Sequence, residues 1–212
     1  MSEVPLANWR VNYYNLFQKG VMMYKKRIIL PVLGILSVAY AQNMNMKKTM
    51  PSGDKIAPNI GLDKTIREES GKLLNTLLAD EFVLYTKTYN YHWNVVGIMF
   101  NDLHSFFRIQ YEALEGIVDA TAERVRAVGI RAIGTLSEFL QNTRLKEDAP
   151  GVVPEAKEMI KNLLEDHESI IRTIRDDLEI TEESNDMGTN SYLNDLLCKH
   201  EKMAWMLRSY LQ

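Results

Sequence analysis

From residue 61 onward, apolar residues recur at threes and fours, and no stretch alternates with the two-residue period of a strand. A chain patterned this way buries its apolar stripes only by packing helix on helix. Asp63 stands as the N-cap of a first long helix carrying Ile66, Leu73, Leu77, Leu84 and Tyr91 and stopping near Gly97. Asn101 or Asp102 caps a second, with Leu103, Phe106, Phe107, Leu114, Ile117 and Val125, ending near Gly129. Thr135-Leu136-Ser137-Glu138 is a capping box for a short third helix. Pro154 opens the next long helix, with Met159, Ile160, Leu163, Ile170, Ile171, Ile174 and Leu178. A last helix, capped by Thr189 or Asn190, carries Leu193, Leu197, Ala204 and Leu207. The expected fold is all-α, an up-down four-helix bundle. Gly129 to Val153 forms the crossover between the second and third main helices and holds the short extra helix.

The chain divides into a basic N-terminal extension, 1–60, and a helical domain, 61–212. Its net charge of −3 hides the contrast. Eight Lys/Arg against Glu3 and Asp54 give residues 1–60 a balance of +6, and the remainder carries −9. An acidic body repels nucleic acid and gathers cations, so DNA contact is left to the basic tail. Cys198 is the single cysteine, which excludes a disulfide framework and a cysteine zinc cluster. Its neighbours Leu196 and Leu197 suggest a half-buried thiol.

Within the extension, Lys25-Lys26-Arg27 precede an apolar run from Ile28 to Val38 and then Ala39-Tyr40-Ala41, the pattern of a secretory signal at 22–41. The run is too short for a comfortable membrane span, so no stable insertion is expected. About twenty residues precede the basic cluster, which a signal peptide does not have, and Met22, Met23, Met44 and Met46 offer later starts. Starts at Met22 or Met23 give an export signal; starts at Met44 or Met46 give a short basic cytosolic tail. Asn43 to Asn59 reads as a flexible linker.

Chemistry concentrates in His92, His104, Asp119 and Glu123. Two imidazoles and two carboxylates suit borderline first-row metals. Asp119 and Glu123 are four apart and share a helix face. His104 lies fifteen residues before Asp119, about 22 Å along one helix axis, whereas metal–ligand bonds are about 2 Å long. One chain does not easily bring all four to one ion, but two chains packed antiparallel along this helix would. Singly, each residue has a plainer reading, as an interface histidine or a solvated acidic face. Asp119 and Glu123 do lie among Ile117, Val118, Ala120 and Ala122, where unpaired carboxylates are costly. No histidine has Glu three residues before it, which argues against an intra-bundle di-iron site of the Glu-x-x-His kind. His167 and His200 have acidic neighbours and read as parts of charged helix faces. Gly-rich phosphate loops and a nucleophile elbow are absent.

Leu77-Leu78-Ala79-Asp80, Tyr91-His92-Trp93-Asn94-Val95, Gly97, Leu103-His104, Asp119 through Ala122-Glu123-Arg124, Gly134-Thr135 and His200 through Arg208 resemble the Dps family, the ferritin-like DNA-binding proteins from starved cells. The resemblance covers about residues 58–212. It implies a homo-dodecamer around a hollow acidic cavity, with iron oxidised at sites across each two-fold interface. By that similarity His92 and His104 of one subunit face Asp119 and Glu123 of another. Fe(II) is oxidised, preferentially with hydrogen peroxide, and stored as ferric mineral, which protects DNA and cell from oxidative damage. Trp93 is similar to the family tryptophan near the site, which accepts stray oxidising equivalents; interface packing is its plainer role.

Two departures stand out. Many members carry an acid four residues after the second histidine; here Arg108 stands there, and a guanidinium cannot bind metal. At the three-fold iron entry pores Asp186 matches and Asp195 assists, but Ser191 replaces a common acid. Lys47, Lys48 and Lys55 make a thin basic tail, enough for weak, salt-dependent DNA binding when repeated over an assembly. The family expectation for localisation is cytoplasmic, with export as the alternative carried by 22–41. Against the ferroxidase and storage cage stand two rivals: a nucleoid-packing protein with a structural metal site, and a monomeric helical metal-binding module.

Overall fold

The computed structural model describes residues 56–212. The apolar run, its small-residue site and Lys47, Lys48 and Lys55 lie outside the described residues. Five helices follow in order: α1 Lys64–Asn94, α2 Phe100–Ala127, α3 Leu136–Asn142, α4 Ala156–Glu183 and α5 Met187–Ser209. Among the described residues there is no strand.

The stripes meet as expected. Leu77, Leu84 and Tyr91 of α1, Leu103, Phe107 and Leu114 of α2, Leu163, Ile170 and Ile174 of α4, and Leu193 and Leu207 of α5 have no exposed surface. Each such side chain contributes about 1.5–3 kcal/mol. Cross-helix bonds give the directions. α1 runs antiparallel to α2 (Arg67 with Val128, His92 with His104) and to α4 (Lys87 with Asp166, Tyr91 with Asn162). It runs parallel to α5, as Ser70–Asp186 and Glu81–His200 show. Hence α2 and α4 point the same way. The helices do not simply alternate up and down, and the crossover has to travel the length of the bundle.

Asp80, 1% exposed, pins that crossover. It accepts hydrogen bonds from Thr143 Oγ1 at 2.8 Å, Arg144 N at 2.6 Å and Arg144 Nε at 2.7 Å. Asp177, on α4 beside the same guanidinium, is left with one unpartnered oxygen. Burial pushes its carboxyl up to about 6, although Arg144 pulls the other way. In α3, Phe139 stacks on Phe82 with centroids 4.2 Å apart, so the short helix is tied to α1.

Caps separate the correct from the corrected boundaries. Asp63 caps α1 through Ile66 N, and the Thr135–Glu138 box is complete. α2 begins at Phe100 with Met99 as an N-cap that makes no side-chain bond, ahead of Asn101 and Asp102. Pro154 sits just outside α4, whose N-cap is Glu155. The N-cap of α5 is Asp186, three residues ahead of Thr189. Its carboxylate accepts from Thr189 N at 3.1 Å, Thr189 Oγ1 at 2.6 Å, Ser70 Oγ at 2.7 Å and Arg124 Nη2 at 3.2 Å. Burial alone would raise that carboxyl; these bonds outweigh it and hold it low.

Two further expectations are corrected. Cys198 is exposed, because one step from Leu197 turns it about 100° away from the core. His167 and His200 have no exposed surface and do not belong to charged faces. They share the core stripes of Leu163 and Ile170, and of Leu197 and Ala204. Burial, and next His200, push the His167 imidazole well below its usual range.

Candidate metal centre

His92 ends α1 and His104 opens α2, so the turn at 95–99 brings them face to face. Val95 N–H bonds back to Tyr91 O, and Gly97 takes φ +107°, a conformation side chains rarely adopt. The rings stack with centroids 3.8 Å apart. His92 Nδ1 lies 2.6 Å from the His104 carbonyl, and His104 Nδ1 lies 2.8 Å from the His92 carbonyl. A carbonyl only accepts, so both Nδ1 atoms carry the hydrogen. Both Nε2 lone pairs therefore remain for a metal, with the rings held as ligating histidines usually are. Trp93 is 62% exposed beside this pair and packs edge-on against Tyr89 at 4.3 Å. Tyr89 meets Tyr111 at 4.2 Å, and Tyr111 stands 5.1 Å from His92. Sequence reasoning passed over these tyrosines, although Tyr85, Tyr89 and Trp93 recur four apart.

Asp119 and Glu123 lie on the other half of α2, both exposed. Within one subunit they bear no burial cost, which corrects the expectation drawn from their apolar neighbours. Asp119 borders an open depression with Leu78, Phe82, Val118, Ala122 and Phe139. Among the described residues no three His, Cys, Asp or Glu of the subunit are placed to hold one ion. The structure thus brings His92 and His104 together and leaves Asp119 and Glu123 apart from them.

Arg108 is exposed and paired with Glu112 at 2.7 Å, one turn beyond His104. Asp186 does not fit a pore wall, since it is 1% exposed and its oxygens are taken by the α5 cap. Asp195 is exposed and bridges to Lys199 at 2.7 Å. Ser191 is exposed near the start of α5.

A family model described as a ferritin-like domain matches residues 71–212. DNA protection during starvation protein 2 of Bacillus anthracis is 34% identical over 140 residues, spanning 66% of this chain and 94% of the relative. This chain belongs to the Dps family of ferritin-like proteins. A low temperature-induced protein of Nostoc sp., itself uncharacterized, is 46% identical over 73% of this chain and 86% of its own length. The crystal structure of the Vibrio cholerae Dps protein, described as one of a superfamily of ferritin-like diiron-carboxylate proteins, superposes with a TM-score of 0.70. It is 31% identical and covers 75% of this chain and 99% of its own. The ferritin-like bundle expected for this Dps chain is thus the one observed.

Proposed function

We propose that this Dps protein is a ferroxidase and iron-storage cage, built as a homo-dodecamer from domain 61–212. Fe(II) is its substrate and ferric mineral its cargo. The observation that carries the reading is the reciprocal Nδ1–H to carbonyl bonding of His92 and His104, which leaves both Nε2 atoms as metal donors on rings stacked 3.8 Å apart. Two neutral donors do not balance a divalent ion, whereas two carboxylates do. Asp119 and Glu123, four apart and exposed, supply them when a second copy lies antiparallel along α2. Two ferrous ions there give one electron each to hydrogen peroxide. The O–O bond breaks, two protons are taken up, and two waters leave. Ferric ions then hydrolyse and nucleate on inner carboxylates.

Trp93 and Tyr89 stand next to the pair, where an aromatic ring intercepts an oxidising equivalent that escapes. Protection of DNA, the activity in the name of the Bacillus anthracis relative, follows from removing ferrous iron and peroxide together and needs no contact with DNA. Contact through Lys47, Lys48 and Lys55 is the rival reading. It is tested by gel shift over a salt series with and without residues 1–60. The cage is assigned to the cytoplasm, and a native N-terminus at Gln42 would instead show export.

The sharing of the site has a direct test. His104→Ala and Asp119→Ala subunits are each nearly inactive in peroxide-driven ferrous oxidation. Mixed, unfolded and reassembled together, they form dimers in which one of the two sites has all its ligands. Recovered oxidation supports a site between subunits; a mixture as inactive as its parents rejects it.

A further inference from the structure

Far from the turn at 95–99, four of the buried polar side chains come one from each main helix. They are Glu81 on α1, Gln110 on α2, His167 on α4 and His200 on α5, none more than 2% exposed. His200 Nδ1 lies 2.9 Å from His167 Nδ1, and its Nε2 lies 2.8 Å from Glu81 Oε1. The first contact is a hydrogen bond. The second is not aligned as one, and His200 Nε2, both Glu81 oxygens, His167 Nε2 and both Gln110 amide atoms have no hydrogen-bond partner. Gln110 borders the same surface hollow as Met203, one turn beyond His200. Each buried polar atom left without a partner costs about 1–3 kcal/mol, and a charged one costs more. Native interiors rarely keep such a group without a water or an ion to explain it.

A proton shared along a straight Nε2–H to Oε1 line would satisfy His200 and Glu81, but these two atoms are close without being in line. Two neighbouring ligand atoms on one octahedral ion, with bonds of about 2.1 Å, stand about 3 Å apart. The 2.8 Å separation of Glu81 Oε1 and His200 Nε2 matches that edge. On such an ion the two atoms would be neighbouring ligands. His167 serves as the orienting partner, accepting from His200 Nδ1–H and so fixing the tautomer that frees Nε2, the arrangement metal-binding histidines require. Bundles build metal sites in this way, from single side chains on facing helices. We infer that each subunit holds a second metal site inside its own bundle, binding one divalent first-row cation through Glu81 and His200. His167 is the positioning residue, and water completes the shell. No Glu-x-x-His pair takes part, so this is a single-ion site and not a di-iron centre.

The site lies wholly within one chain, which separates it experimentally from the interface centre. The full-length assembled protein carrying His104→Ala and Asp119→Ala is dialysed against Zn2+ or Co2+, and metal per subunit is measured by elemental analysis. One ion per subunit is expected to remain, and bound Co2+ is expected to show the visible ligand-field absorption of a nitrogen and oxygen shell. Adding Glu81→Gln, which keeps the shape of the side chain, is expected to weaken binding at least tenfold. Adding His167→Gln is expected to weaken it less and to shift the Co2+ spectrum. The inference fails if the interface-silenced protein retains no ion, or if Glu81→Gln retains it as tightly. Either result would mean that no metal ion sits beside Glu81. Where His167→Gln does not assemble, Glu81→Gln decides by itself. Neither failure touches the interface reading, which the mixed-subunit experiment tests alone.

Discussion

The chain holds two histidine pairs, and they are anchored in opposite ways. At the rim, His92 and His104 each bond through Nδ1 to the other's backbone carbonyl, which leaves Nε2 as the lone-pair nitrogen. In the interior, His167 and His200 bond to each other's side chain, and Glu81 stands 2.8 Å from His200 Nε2. Backbone anchors survive when the neighbouring side chain is changed; side-chain anchors do not. The rim pair is therefore held rigidly by main chain, whereas the interior row stands or falls as a unit.

The largest effect that tests this contrast is on turnover. His104→Ala or Asp119→Ala is expected to slow peroxide-driven ferrous oxidation by about a hundredfold or more, since even outer-shell partners of a metal site are worth 10–100-fold. Helical content, read by circular dichroism, should stay unchanged. Full activity in both variants would place the centre elsewhere.

Stability should show the reverse ranking. His200→Gln strands Glu81 and His167 in the core and is expected to cost about 2–4 kcal/mol. His104→Gln, at a half-exposed position, is expected to cost under about 1 kcal/mol. Denaturant midpoints of the two variants check the order, and equal losses would erase the distinction.

Double-mutant cycles sharpen it further. Truncating His167 and His200 together should deviate from additivity by about 0.5–3 kcal/mol, as residues of one network do. Truncating His92 and His104 together should deviate less, because each anchor is main chain and only the ring stacking at 3.8 Å couples them. Coupling of the same size in both pairs would contradict the bonding described.

Asp177 provides a reference outside both regions. Its carboxyl titrates near 6 in the folded protein against an ordinary 3.8, so the folded state holds that proton more tightly than the unfolded one. Its contribution is present in full below about 4 and is lost as pH rises through about 6. Asp177→Asn should remove that slope and raise stability at neutral pH by on the order of 2 kcal/mol. Chemical denaturation at pH 4, 5, 6 and 7 measures it, and ferrous oxidation should not change.

How much of this was legible in the residues depends on whether the partner of each group is near in sequence. Stripes at threes and fours placed every main helix, because burial of Leu77, Leu84 or Ile174 is decided by periodicity alone. Asp63 and the Thr135–Glu138 box were legible since a cap's partner sits three residues away. Asp186 was not: its burial comes from Ser70 and Arg124 on other helices, and an acid ahead of a helix reads as solvent-facing without them. His167 and His200 were misread through their acidic neighbours, although helical spacing from Leu163 and Leu197 already put them on the core stripe. For the rim centre the residue types and the 22 Å separation were legible. The reciprocal carbonyl bonds were not, since they depend on the exact path of the turn at 95–99. Asp119 and Glu123 stand on an exposed face of α2, and among the described residues no His or Cys joins them in a group that could hold an ion.

That turn sets a limit on how the protein can vary. Its length fixes which carbonyl meets which ring, and Gly97 provides the one bend that closes it at that length. A relative with one residue inserted there would retain every histidine and aspartate, and an alignment would pass it as intact. Its two imidazoles would nonetheless fall out of step, free to rotate and to present the wrong nitrogen. For chains of this kind, the spacing between the histidines is as informative as their presence.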